Sequence, residues 1–178
     1  EGVTPTTSRV GVLQHGETVA RRTRPDGIEE TTAPAEILKA VAIVDTPGTN
    51  AVLREHEALT RDFLPRADLV LFVTSADRPY TESERAFLEA IREWGKKVVL
   101  VLNKRDLLES PEDVAKVVAF VQEQAEKTLG TRPEVFALSA RDALRATQRG
   151  DAAARERSGL SAFEAKVTAT LDEKERFR

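Results

Sequence analysis

The rhythm of apolar and polar positions changes partway along the chain. Over 9–15 apolar residues alternate with polar ones, with Val10 and Val12 flanked by Ser, Thr and Pro, the pattern of a half-buried strand. Its expected partner is a strand over 37–44. The stretch between them, 21–34, is rich in charge, Thr, Pro and Gly and reads as a loop or a wide hairpin connection. From 52 onward continuous apolar runs alternate with amphipathic ones. This predicts helix 52–64, strand 69–74, helix 82–94, strand 98–102, helix 111–129, strand 135–138 and helix 160–177.

Strands written as unbroken apolar runs between amphipathic helices imply a sheet covered on both faces. The expected class is α/β, a doubly wound, mostly parallel sheet with one antiparallel strand. Several helix ends carry physical markers. Thr81-Glu82-Ser83-Glu84 has the form of a capping box with Gly95 as a stop, and Ser110-Pro111 reads as an N-cap followed by proline at the first helical position, with Gly130 closing that helix. Phe87, Ile91 and Trp94 share one helical face, as do Val114, Val117, Val118 and Val121, so all are expected in the core. The segment 142–158 is rich in Ala and Arg and reads as a frayed helix, a mobile loop or an insertion.

With 178 residues, 40% of them hydrophobic, one compact domain over 1–178 is expected. The 27 basic and 30 acidic residues are interspersed and leave a net charge of -3, so nucleic acid is not the expected partner. Cysteine is absent, which removes disulfides and thiolate metal sites. The apolar run at 98–102 is far short of the roughly 20 residues that cross a bilayer. His15 and His56 have no second ligand at metal-binding spacing, so surface roles are expected for both. Methionine is absent too, and the chain reads as an internal piece of a longer protein.

Two polar motifs stand at the carboxyl ends of apolar runs, where open α/β sheets bind ligands. Asp45-Thr46-Pro47-Gly48 follows Val41-Ala42-Ile43-Val44, and Asn103-Lys104-Arg105-Asp106 follows the run ending at Leu102. In the second motif, Asp106 has the chemistry to accept both N1-H and the 2-amino group of guanine. Adenine there would leave the carboxylate desolvated and unpaired. Asn103 would tie the loop to the base edge, the stem of Lys104 would cover a ring face, and Ser139-Ala140-Arg141 after the next strand offers the Ala140 N-H to O6. In the first motif, Asp45 suits Mg²⁺ held through water, and Gly48 lets a backbone N-H approach a γ-phosphate. Upstream, Thr6 and Thr7 offer hydroxyls for Mg²⁺ in a segment that would order when the γ-phosphate is present. No Gly-x-x-x-x-Gly-Lys-Ser/Thr phosphate loop occurs in these residues.

The order of a Thr-rich segment, Asp-x-x-Gly, Asn-Lys-x-Asp and Ser-Ala resembles the GTPase domains related to translation factors, and the dynamin superfamily in particular. Gly2-Val3-Thr4-Pro5-Thr6-Thr7, Asp45-Thr46-Pro47-Gly48-Thr49-Asn50, Arg66-Ala67-Asp68 before Leu69-Val70-Leu71-Phe72-Val73, and Thr81-Glu82-Ser83-Glu84 are similar to bacterial dynamin-like proteins. The resemblance implies a P-loop GTPase-like domain without its first strand and phosphate loop. GTP or GDP with Mg²⁺ would be its cofactors, and Thr7 and Gly48 would sense the γ-phosphate during hydrolysis. It further implies self-association through this domain, and membrane remodelling through peripheral contacts made by regions outside it. The expected location is the cytoplasm, at the inner face of a membrane. Thr49 follows Gly48 where Ras-like proteins carry a water-orienting Gln, so that role does not transfer. The alternatives are an Era- or TrmE-like GTPase acting on RNA or ribosomes, and a nucleotide-binding module without catalysis.

Overall fold

A computed structural model describes residues 9–46 and 63–175. The expected helix over 52–64 falls almost wholly outside them, as does His56. Contacts divide the chain into two compact units, 1–63 and 64–178.

In the first unit four strands form one sheet. They are β1 (Gly11–His15), β2 (Ala20–Thr23), β3 (Glu29–Ala33) and β4 (Ile43–Asp45), in the order β2-β3-β1-β4. Strand β4 pairs antiparallel to β1, Leu13 opposite Ile43, as the alternation at 9–15 anticipated. The segment expected to be a loop or wide connection instead holds most of a hairpin. β2 and β3 pair antiparallel, Arg22 opposite Glu30, and β3 then lies parallel to β1. A tight turn joins them, in which the Arg24 N-H donates to the Ile28 carbonyl (2.8 Å), with Gly27 at φ +84°, a left-handed conformation that glycine adopts without steric cost. No apolar residue larger than alanine lies in these two strands. Glu30 is buried and accepts from Arg22 (2.8 Å) and from Gln14, and Arg21 pairs with Glu29. The strand expected over 37–44 is shorter than its pattern. Glu36–Lys39 forms a 3-10 turn that buries Leu38, and only Ile43–Asp45 is extended.

The second unit follows its pattern closely. Strands β5 (Val70–Ser75), β6 (Val98–Asn103) and β7 (Val135–Ala137) form a parallel sheet with β6 in the middle. Of the five described strand pairings three are parallel. Helices α1 (Glu82–Glu93) and α2 (Pro111–Leu129) pack Leu88, Ile91, Val121 and Ala125 against Phe72, Leu100 and Leu102. Each fully buried Leu or Ile contributes about 1.5–3 kcal/mol over an exposed one, which makes this cluster the main support of the unit.

The caps form as the sequence specifies. The Thr81 N-H donates to Glu84 Oε2 (2.7 Å) while the Thr81 hydroxyl accepts from the Glu84 N-H. Ser110 accepts from the Asp113 N-H (3.1 Å), and Gly130 closes α2 at φ +75°. Trp94 is a correction: it is the C-cap of α1, where the helical face that carries Ile91 ends, and it is 41% exposed. The segment 142–158 lies in two capped helices, α3 (Ala140–Arg149) and α4 (Ala152–Arg157). They read poorly in sequence because α3 buries only Ala143 and Ala146. Helix α5 (Leu160–Glu175) completes the unit. Among the described residues no helix is long and apolar enough to cross a membrane.

Candidate functional site

Three strand tips meet at the carboxyl edge of the parallel sheet. At the end of β6 the Asn103 Oδ1 accepts from the Lys104 N-H (2.8 Å) and from the Ala140 N-H (3.0 Å), so one side chain ties the loop after β6 to the loop after β7. Lys104 stands at φ +62°, a left-handed backbone that costs a non-glycine residue about 1–2 kcal/mol. That conformation turns the chain sharply into Arg105–Leu107, which forms a 3-10 turn. The turn is held from below, because Arg105 donates its backbone N-H to the Leu138 carbonyl (3.1 Å) and its Nη1 to the Ala137 carbonyl (3.3 Å).

Asp106 is thereby presented at the edge with its side chain only 12% exposed, and its Oδ2 accepts from Arg141 Nη2 at 2.6 Å. Ser139 is buried and caps α3 by accepting from the Asp142 N-H (3.2 Å), and its own N-H donates to the Ser158 carbonyl (2.9 Å). Gly159 allows that close approach. It has φ +83°, and a Cβ there would stand 2.5 Å from the Ala137 carbonyl oxygen.

The third tip holds residues that the sequence pattern did not single out. Ser75 ends β5 and Asp77 follows it, the Ala76 N-H donates to the Asn103 carbonyl (2.9 Å), and the Lys104 ammonium lies 3.6 Å from Asp77. The Ser75 hydroxyl bound to Asp77 holds that carboxyl below its ordinary range, with the charge of Lys104 acting in the same direction. The signal was present: Ala76-Asp77-Arg78-Pro79 is a polar turn directly after an apolar run, placed as Lys104 to Asp106 are after β6. The loop is braced by Thr74, which donates to Glu84 (3.2 Å) and accepts from the Tyr80 N-H (3.2 Å).

Of the residues singled out by sequence, Asn103, Lys104, Asp106, Ser139, Ala140 and Arg141 lie together at this edge. Beside them, a cavity of about 380 Å³ has Asp106 and Ser139 on its wall together with Arg105, Arg145, Arg149 and Arg157. Asp45 ends β4 in the first unit and is exposed. Thr6, Thr7 and Gly48 lie outside the described residues. His15 is exposed, and among the described residues no three His, Cys, Asp or Glu side chains are grouped to hold a metal.

The chain is similar to the probable transmembrane GTPase FZO-like, chloroplastic, of Arabidopsis thaliana, 44% identical over 152 residues that cover 82% of this chain and 17% of that protein. Dynamin-like protein 1 of Campylobacter jejuni is 30% identical over 91 residues, 50% of this chain and 12% of that protein. The chain thus spans less than a fifth of the length of either relative. Among solved structures, translation elongation factor SelB of Methanococcus maripaludis in complex with a GTP analogue matches with a TM-score of 0.57 at 13% identity, over 93% of this chain and 28% of that one, a likeness of fold alone. The profile of the dynamin family matches residues 15–105, from the end of β1 to the loop after β6, and the chain belongs to that family.

Proposed function

We propose that this chain is the guanine-nucleotide-binding part of a dynamin-like enzyme that hydrolyses GTP to GDP and phosphate. The observation that carries the reading is the Asp106–Arg141 pair. A guanidinium and the N1-H/2-amino edge of guanine both present planar N-H donors, so Asp106 is a half-buried carboxylate whose present partner has the base's donor chemistry. Guanine binding exchanges Arg141 for the base edge on Asp106. The Ala140 N-H leaves Asn103 Oδ1 for O6, and the stem of Lys104 covers a ring face.

Asp45, exposed at the tip of β4, suits a cation that takes few protein ligands and completes its shell with water and phosphate oxygens. Mg²⁺ bound with the nucleotide supplies charge neutralisation at the phosphates. In this reading Asp45 would hold the metal through water, the hydroxyls of Thr6 or Thr7 would contribute a further oxygen, and the Gly48 N-H would approach the γ-phosphate. The last three rest on the sequence pattern. Self-association through this domain and remodelling of a membrane by the longer protein belong to the same proposal, supported by the family match.

The test is Asp106→Asn in the protein carrying its phosphate loop. An amide cannot accept both donors, so GTP should weaken by about 10²-fold or more while xanthosine triphosphate gains, following the discrimination that buried polar mismatches produce. Unchanged GTP affinity, measured by fluorescent-nucleotide titration, removes Asp106 from the base site.

A further inference from the structure

The opposite edge of the same parallel sheet holds a second cleft, of about 400 Å³, at the amino ends of β6 and β7. Along a six-residue strand this is roughly 17 Å from Asn103, so it is no part of the edge described above. Arg92, Lys96, Lys97, Arg132 and Lys166 line it, with Glu134 as the acid among them. In a chain of net charge -3, five cations around one cleft do not follow from composition.

Cations are favoured at helix C-termini, and α1 and α2 both end here, each contributing about half a negative charge. That accounts for part of the cluster. Lys166 pairs with Glu134 (2.7 Å) and Arg132 with Glu126 (2.8 Å). Counting both acids and both helix ends still leaves an excess of about two positive charges.

The excess sits on three side chains. Lys96 Nζ donates to the Pro65 carbonyl (2.7 Å) and Arg92 Nη1 to the Thr128 carbonyl (3.4 Å), contacts that leave their charges uncompensated. Lys97 is exposed and has no carboxylate partner among the described residues. We propose that this cleft is a binding site for a phosphoryl group bearing two or more negative charges, held by Arg92, Lys96 and Lys97. Arginine supplies a planar fork of N-H donors to phosphate oxygens and lysine a point charge, the usual division of labour at such sites. A soluble phosphate monoester or pyrophosphate and a phospholipid headgroup ending in a phosphomonoester share this chemistry.

The experiment uses the full protein saturated with GDP, so that the nucleotide site is closed to the probes. Inorganic pyrophosphate is titrated calorimetrically, and vesicles of phosphatidylcholine with or without phosphatidic acid, whose phosphomonoester can carry two negative charges, are co-sedimented. Two variants are compared with the parent, Arg92→Glu/Lys97→Glu and, should that one fail to melt cooperatively, Lys97→Gln. Pyrophosphate binding weakened about tenfold or more in the variant assigns the site to soluble phosphates. Loss of the phosphatidic-acid-dependent sedimentation alone assigns it to a headgroup. Either supports the proposal. Binding of neither probe, or binding that the substitutions leave unchanged, overturns it.

Discussion

Strands β3 and β6 both lie in the interior of their sheets, yet they are held by different physics. In β6, Val99 to Leu102 are all buried, and successive side chains alternate between the two faces of the sheet, so both faces are covered. In β3, Glu-Glu-Thr-Thr-Ala buries only Glu30, and what that carboxylate touches is the guanidinium of Arg22 and the amide of Gln14. The first strand is stabilised by removal of apolar surface from water. The second depends on ladder hydrogen bonds and on ion pairs whose outer members face solvent, where screening leaves little net energy. The part of the molecule built on burial is therefore expected to resist perturbation differently from the part built on polar pairing.

Truncation separates the two regimes most sharply. Leu100→Ala, at a fully buried position of β6, should lower the unfolding free energy by about 2–5 kcal/mol, whereas Glu30→Ala in β3 should cost under about 1 kcal/mol, because Arg22 is released to water rather than left buried and unpaired. Urea denaturation of both variants checks this, and equal losses would erase the distinction. Within the second unit, Gly159→Ala asks how far the strand tips depend on backbone approach. The left-handed φ alone costs about 1–2 kcal/mol, and relief of the 2.5 Å contact must move either Ala137 or Gly159. Faster amide exchange at Ser139, whose N-H donates to Ser158, would report that movement, and unaltered protection would show that the tip does not need the glycine.

A further modest effect concerns Tyr80, whose hydroxyl bonds the Gln124 carbonyl and the Thr128 hydroxyl. Burial raises its pKa. A phenol with a folded-state pKa above its unfolded value of about 10 contributes stability that is complete below that pH and is lost as pH rises through the folded value. Tyr80→Phe should therefore cost about 1 kcal/mol at neutral pH, and the gap between variant and parent should close in alkaline solution. A gap that stays constant with pH would detach the hydroxyl from this network.

How much could be read in advance follows the same division. The strand at 98–102, the helix at 111–129 and both capping patterns were legible because apolar periodicity and cap chemistry are local properties. Strands β2 and β3 were not, because charged and Thr-rich residues pair only when the partner strand supplies the register. Trp94 was misplaced because a helical face ends with its helix. At the candidate site, Asn103, Lys104, Asp106 and Ser139 to Arg141 stood out by type and by position after apolar runs, while Asp77 shares the position after an apolar run but not a recognisable combination of residue types.

By itself, then, the sequence determined the alternation of apolar strands and amphipathic helices in the second unit and the residue types at the candidate site, since hydrophobicity and donor–acceptor chemistry belong to individual residues and their spacing. Only the tertiary structure decided that Asn103 ties two loops through Ala140, that Lys104 reaches Asp77, that Arg141 sits on Asp106, and that five cations gather at the far edge of the sheet. Those relations join residues up to 74 positions apart, from Arg92 to Lys166, and a distance of that kind becomes short only when the strands lie side by side.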